Sequence, residues 1–488
     1  MKEVPQLSQL FPDPEKKSCK NPQFSSFVTA LCLLVCVCGV AVLLWSVSSS
    51  EIKPESSTTS RDLERLASHM LSFEARLSEL SAFEINLYQL WWEDGDTQEQ
   101  LHHWYAEIPQ DRQSLLDQLY IGVFTGEAML RANRMGSVQV GTLVFQQHSL
   151  FQQILDAAYV ERERIGVDYE GLQARLAEEL PANWFYFQLA KRLASQAGDL
   201  VLQENLQRQF LKLTDFQLWK WRVLIIVECF LVGMGLMCFV YMAVARFKLV
   251  LSQSQGTINQ RTSFWTFQEG YAVLVRGGAL SIFLIVLLAA VPFGMKILED
   301  YGSLVLYLPT VAMAIVLLCW PKGQSLLEVL GCHNFFARIK SSLPLLFSVI
   351  ALGLIGEWLI MFGGDMFDIS VHWTEWFIPQ LVWGSQTELL KTSLEVVVLA
   401  PIFEEIIFRG IVFSTLRAKY GLIPSLVGSA AIFALAHGYG PVAFFSVFWS
   451  GMLWAWLVTA YRISHSVITK PTQNHKNLKT KCYLPPLL

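Results

Sequence analysis

Eight apolar stretches, most of them close to 20 residues long, dominate the sequence. Because about 20 apolar residues in a helix cross the hydrocarbon of a bilayer, each stretch is a candidate membrane span. Hydrophobic residues make up 53% of the 488 positions and charged residues only 16%, which is typical of a polytopic membrane protein. The sequence predicts an all-α, polytopic helical membrane protein with spans at about 27 to 45, 223 to 245, 278 to 297, 302 to 320, 342 to 363, 388 to 418, 422 to 438 and 441 to 461.

The first stretch begins shortly after three lysines at positions 16, 17 and 20. It is longer than the apolar core of a signal peptide, and it lacks a convincing small-x-small cleavage site. We therefore expect residues 1–48 to form a cytoplasmic N-terminus and an uncleaved first anchor.

Residues 49–221 differ from the rest of the chain because they carry most of its charge. Their apolar residues recur three and four positions apart, as on one face of a helix: Leu63, Leu66, Met70, Phe73, Leu77 and Leu80. The segment 184–199 resembles a tetratricopeptide helix, but no period of about 34 residues accompanies it. The prediction is a helical bundle domain between the first and second spans.

Lysine and arginine clusters set the orientation. They fall at alternate ends of the spans, at positions 246, 248 and 261, then 322, 338 and 340, then 417 and 419, then 462. Cytoplasmic loops are enriched in these residues. This pattern predicts a multi-pass protein of the plasma (cell inner) membrane with a cytoplasmic N-terminus, and it places the 49–221 domain outside. Spans 2 to 4 then occupy residues 222–340.

Composition also excludes some partners and sites. The net charge is −4 and no basic stripe is interleaved with aromatic residues, so no nucleic-acid partner is expected. None of the nine cysteines lies between residues 48 and 221. Neither a disulfide framework nor a cysteine-based zinc site is therefore predicted.

The segment "PIFEEIIFRG", residues 401 to 410, places three charged side chains within a span. Ionisable residues at this depth are costly and usually functional. If the chain turns at Gly421, Glu405 lies sixteen residues before the turn and His437 sixteen after it, each roughly 24 Å away at helical rise. Arg409 and Phe433, twelve residues from the turn, pair in the same way. A hairpin therefore predicts one intramembrane patch.

Helical spacing assigns different partners to the two glutamates. Glu405 and Arg409 are four residues apart, in the orientation that favours an ion pair. Glu404 points about 100° away, and we expect His437 of the next helix to be its partner. A glutamate beside a histidine in a dry pocket is suited to take a proton from water, which is hydrolase chemistry. The alternative is that these charges only tie helices together.

The pattern E-E-x-x-x-R at 404–409 followed by F-x-x-x-H at 433–437 resembles the first two motifs of the CPBP family of CAAX-protease and bacteriocin-processing membrane proteins. The preceding "VVVLAP" also fits, and the resemblance covers about residues 340 to 462. We take residues 341–462 as this core. The resemblance implies an intramembrane protease in which Glu404 is the general base, Glu405 and Arg409 are an orienting pair, and Phe433 and His437 are partners from the second helix.

The resemblance also implies a third motif, a histidine followed four residues later by Asn or Asp, on a further membrane helix. Residues 463–488 are instead polar, basic and interrupted by proline. His475 lies near the expected place, but position 479 is lysine. We expect a truncated or frame-altered terminus, and losing one oxyanion donor would cost about 10²-fold or more in rate.

Two functions of different classes follow. The first is an intramembrane endopeptidase that cleaves a membrane-embedded or lipid-anchored substrate arriving through the bilayer, of which a CAAX-type protein is one example. The second is a non-catalytic scaffold, immunity or sensor protein whose outer domain binds a protein partner. A transporter is less favoured because the two halves show no inverted repeat. One histidine and two glutamates are a thin ligand set for zinc, so no cofactor is assigned.

Overall fold

The computed structural model describes residues 24–49, 56–77, 80–89, 97–109, 113–131, 150–159, 167–252, 265–323, 325–326, 335–367, 369 and 371–468. Every regular element within these residues is a helix, so the all-α prediction is confirmed. The first helix, α1, spans Ser26–Ser49 and packs against a later membrane helix.

Among the described residues, seven helices build the domain between the first and second apolar stretches; we call it the outer domain because it lies outside the membrane helices. They are α2 (Ser56–Leu77), α3 (Ala82–Gln89), α4 (Thr97–Ala106), α5 (Leu115–Arg131), α6 (Leu150–Tyr159), α7 (Tyr169–Glu179) and α8 (Trp184–Ala197). The predicted apolar face of α2 is buried at Leu63, Leu66, Met70 and Phe73. It contributes to one core with aromatic residues of α4, α5 and α8, in which Tyr105, Tyr120 and Phe185 are fully buried.

Helix α9 joins the outer domain to the membrane without a break. It runs from Leu200 to Ser252, and its 53 residues extend about 80 Å at helical rise. Leu206 and Phe210, near its start, belong to the outer-domain core. The second apolar stretch lies in its C-terminal half, so the predicted boundary at residues 221 and 222 falls inside one helix.

In the part of the chain that the structure describes, five helices are long and apolar enough to cross a membrane: Leu200–Val244, Phe267–Ala289, Asp300–Lys322, Ser342–Met366 and Pro441–Thr459. Two shorter apolar helices, Ser26–Val42 and Leu422–His437, accompany them. The count of eight spans stays a prediction. The stretch expected at 278 to 297 is displaced: α10 covers Phe267–Ala289, and a turn containing Pro292 separates it from α11, which begins at Gly294. Proline has no N–H to continue a helix, and hydropathy alone misses this break.

The remaining membrane elements surround the predicted site. Helix α11 spans Gly294–Ala314 and continues to residue 322 through short π and 3₁₀ segments, and α12 spans Phe335–Met366. A short α13, Pro379–Trp383, precedes a helical rod, α14, formed by residues 386–420. Helices α15 (Leu422–His437) and α16 (Pro441–Ile468) follow. Helix α9 packs along α12, α10 along α11, and α15 along α16, while α14 contacts both α11 and α15.

Candidate active site

Helix α14 alternates between α and π geometry. Its segments are Gln386–Ser393 (α), Leu394–Leu399 (π), Ala400–Glu404 (α), Glu405–Val412 (π) and Phe413–Tyr420 (α). Pro401 has no N–H to donate to the preceding turn, and the first π segment lies directly before it, with the Ala400 N–H bonded to the Glu395 carbonyl five residues back. The second π segment begins at Glu405. Such wide turns often occur at functional sites.

The predicted hairpin is present. Gly421 separates α14 from α15 with φ of 82°, a left-handed conformation that glycine adopts at little cost. The Arg409 guanidinium lies over the Phe433 ring, with 4.1 Å between its central carbon and the ring centroid. This contact confirms that the two residues lie at one level. The Ser429 hydroxyl donates to the Phe408 carbonyl at 2.9 Å and joins the helices at the π segment.

Arg409 and Glu405 form the expected pair. Arg409 Nε lies 3.3 Å from Glu405 Oε1. The arginine side chain is only 3% exposed, whereas the glutamate is 42% exposed. Arg409 Nη1 is buried and has no hydrogen-bond partner among the described residues. The buried cation is therefore stabilised by Glu405, by the charge of the adjacent Glu404 and by the face of Phe433.

Glu404 has a partner that the sequence does not predict. Its Oε1 accepts a hydrogen bond from the Tyr307 hydroxyl of α11 at 3.1 Å. Within the described residues, no hydrogen bond joins Glu404 to His437, and its Oε2 accepts none. The arrangement differs from the expected Glu404–His437 pair because α11 packs against α14 and supplies the donor to Glu404. Tyr307 is 97 positions away in the chain, so no spacing rule could have identified it.

His437 ends α15 and bonds to its own helix. Its Nδ1 lies 2.8 Å from the Phe433 carbonyl oxygen. Because a carbonyl only accepts, Nδ1 carries the hydrogen, and Nε2 of the neutral ring keeps the lone pair. The imidazole stands edge-on to Phe433, with centroids 4.7 Å apart, and Phe433 in turn contacts Phe408 at 5.0 Å. Phe433 therefore contacts both Arg409 and His437.

A second contact from α11 supports α14. Tyr301 has non-helical torsion angles that kink α11, and the nearby Ser303 N–H donates to Glu395 Oε1 at 2.8 Å. Since Tyr307 lies four residues beyond Ser303, one stretch of α11 holds two carboxylates of α14.

The described residues contain no group of three His, Cys, Asp or Glu side chains placed to hold a metal ion. His475 and Lys479, near the expected place of the third motif, lie outside the described residues.

Residues 386–472 match the family model described as type II CAAX prenyl endopeptidase Rce1-like. This match confirms the resemblance to CPBP proteins, and it begins later and ends later than the sequence motifs indicated. All five candidate site residues lie inside it. No curated protein and no solved structure matches the chain.

Proposed function

We propose that this membrane protein is an endopeptidase that hydrolyses a peptide bond of a membrane-embedded or lipid-anchored substrate. The supporting observation is the setting of Glu404: it lies in the segment that matches the CAAX protease family, one of its oxygens is held by Tyr307, and the other has no hydrogen-bond partner among the described residues. A fixed carboxylate with one open oxygen is the arrangement that a general base needs.

In the proposed reaction, Glu404 takes a proton from water and the water oxygen bonds to the substrate carbonyl carbon. The carbon–nitrogen bond then breaks, and the proton held by Glu404 passes to the leaving amine. His437 presents Nε2 as an acceptor that orients the water or the substrate amide. Glu405 and Arg409 stabilise the π segment, and Phe433 packs against His437 and fixes the position of its ring.

The test uses purified full-length protein in bilayers with a panel of membrane-tethered and prenylated peptides. Glu404→Ala and His437→Ala are each expected to lower cleavage by about 10²-fold or more, as for loss of a general base or its partner. Glu388→Gln is the control, since this exposed carboxylate lies on the same rod at its first turn. Undiminished cleavage in both site variants would reject the catalytic assignment.

A second function is a non-catalytic scaffold or sensor. It is favoured by the outer domain, which bears a cleft of about 420 Å³ lined in part by Arg65 and His69. Failure of the wild-type protein to cleave any peptide of a broad panel would favour this function.

A further inference from the structure

Residues 371–385, which we call the strap, connect α12 to α14 and contact the outer domain. Trp373 is 7% exposed and belongs to the outer-domain core, with Phe377 and Trp383 packed against that core. The Trp383 ring lies 6.0 Å from His69 and 5.6 Å from the Arg65 guanidinium. Three aromatic side chains therefore fix the strap to a domain that is distant in sequence.

A polar contact adds to this attachment. His372 Nε2 lies 3.1 Å from Glu107 Oε2 at the end of α4, and its ring stands against Trp104 at 5.9 Å. Contacts with the outer domain therefore fix the position of the strap.

The other side of the strap reaches the turn after His437. Glu375 Oε2 accepts a hydrogen bond from the Gly440 N–H at 3.1 Å. Gly440 is the first residue of the turn into α16, since its carbonyl accepts from the Phe444 N–H at 2.8 Å. A carboxylate at a helix N-terminus is stabilised by the free N–H groups there. A side chain at position 440 would come within 2.9 Å of Glu375 Oε1, so glycine permits this approach.

Only two residues, Gly438 and Tyr439, separate Gly440 from His437. The Tyr439 ring lies 5.4 Å from the imidazole, so this residue is linked to His437 through its side chain as well as through the backbone. A displacement of Gly440 is therefore passed to His437 through Tyr439.

We propose that Glu375 is a positioning residue for His437. Trp373, which packs into the outer-domain core, holds the strap and thereby Glu375 in place. This inference rests on the proposed function for the chemical role of His437. The outer domain is then a structural part of the site as well as a surface for partners, and it acts through a segment that precedes the family match.

The first measurement is amide hydrogen exchange of the full chain in bilayers, followed in a peptide that contains Gly440. Glu375→Ala removes the acceptor, so exchange there is expected to rise several-fold. Glu375→Gln keeps an acceptor oxygen and is expected to restore most of the protection. Trp373→Ala is expected to resemble Glu375→Ala. Trp376→Ala is the matched control, because this tryptophan of the same strap is 53% exposed.

The second measurement is peptide cleavage by the same variants. A shift of about 1 Å in a catalytic group can lower the reaction rate by up to 10²-fold. We expect a smaller shift of His437 in Glu375→Ala and Trp373→Ala, and therefore a kcat about tenfold lower. KM is expected to stay within about twofold, because the strap is not expected to bind substrate. Trp376→Ala and Glu375→Gln are expected to retain most of kcat.

Unchanged exchange at Gly440 in Glu375→Ala would overturn the inference, whatever the activity. Faster exchange with an unaltered kcat would also overturn it, since the turn would then move without affecting His437. A wild-type chain that cleaves nothing, but whose exchange responds as expected, would count against the proposed protease and would still support the contact between strap and turn.

Discussion

At the scale of single residues, the two adjacent glutamates are held by different groups. Glu405 faces the buried Arg409, whereas Glu404 accepts from Tyr307. The sequence predicted the first pair because both residues lie on one helix with known spacing. Counting residues from Gly421 also predicted that Arg409 and Phe433 lie at the same depth. The sequence could not predict Tyr307, because a contact between separate spans depends on how the helices pack.

We predict that Tyr307→Phe lowers kcat about tenfold, because a hydrogen bond to a charged group is worth roughly 1.5 kcal/mol or more. The ring is kept, so KM and thermal stability are expected to change little. Tyr301→Phe, an exposed tyrosine earlier in α11, is the control. Cleavage assays and thermal unfolding of both variants check this, and equal kcat values would contradict a role for the Tyr307 hydroxyl.

A second residue-scale prediction concerns Glu127, which is buried in the outer domain. It accepts hydrogen bonds from Tyr159 at 2.9 Å, Gln188 at 2.8 Å and Arg192 at 2.7 Å. Burial alone raises its pKa, but the hydrogen bonds and charge of Arg192 outweigh burial, and the pKa lies below its ordinary value of 4.5. A lowered folded-state pKa gives stability that is present above 4.5 and is lost as pH falls through the folded value.

Glu127→Gln is therefore expected to destabilise the outer domain by about 2 kcal/mol at neutral pH and to weaken the loss of stability below pH 4.5. Glu204→Gln breaks an exposed pair with Arg208 and is expected to cost under about 0.5 kcal/mol. Unfolding followed by tryptophan fluorescence across pH measures both. Parallel pH curves for Glu127→Gln and wild type would refute the assignment.

At the scale of elements, sequence patterns located the helices well but not their internal geometry. The apolar face of α2 and the hairpin at Gly421 were both predictable from spacing. The π segments of α14 were not, because hydropathy is the same for α and π turns. The displaced end of α10 has a similar cause, since "VPFG" is apolar enough to resemble a span but is a turn.

The contact between α9 and α12 gives an element-scale prediction. A side chain on Gly235 would come within 2.2 Å of the Phe347 carbonyl oxygen, whereas one on Gly233 would meet nothing within 4 Å. Gly235→Ala is expected to destabilise the bundle by about 1 to 3 kcal/mol through overpacking. Gly233→Ala is expected to be neutral or slightly stabilising, since alanine favours helix. Thermal unfolding in detergent compares them, and equal melting temperatures would argue against close packing here.

At the scale of the whole molecule, the sequence separated a polar helical domain from a membrane bundle. It did not predict how they are joined. The outer-domain core includes Trp373, which lies between two membrane elements in the chain. Such an attachment is invisible to any window of sequence, because the strap contacts His69 of α2 and Trp104 of α4.

The orientation derived from lysine and arginine placement can be tested directly. A cysteine in place of the exposed Glu178 is expected to react with an impermeant maleimide added to intact cells. A cysteine in place of the exposed Ala418, near the opposite end of the bundle, is expected to react only after permeabilisation. The reverse pattern would invert the topology and place the outer domain in the cytoplasm.

The continuity of α9 also limits how the molecule can move. A domain on a flexible linker can swing away to admit a bulky substrate, but one carried on an unbroken helix must bend that helix to do so. Any change in the position of the outer domain relative to the bundle therefore has to bend or break α9, as a hinge in a loop would not.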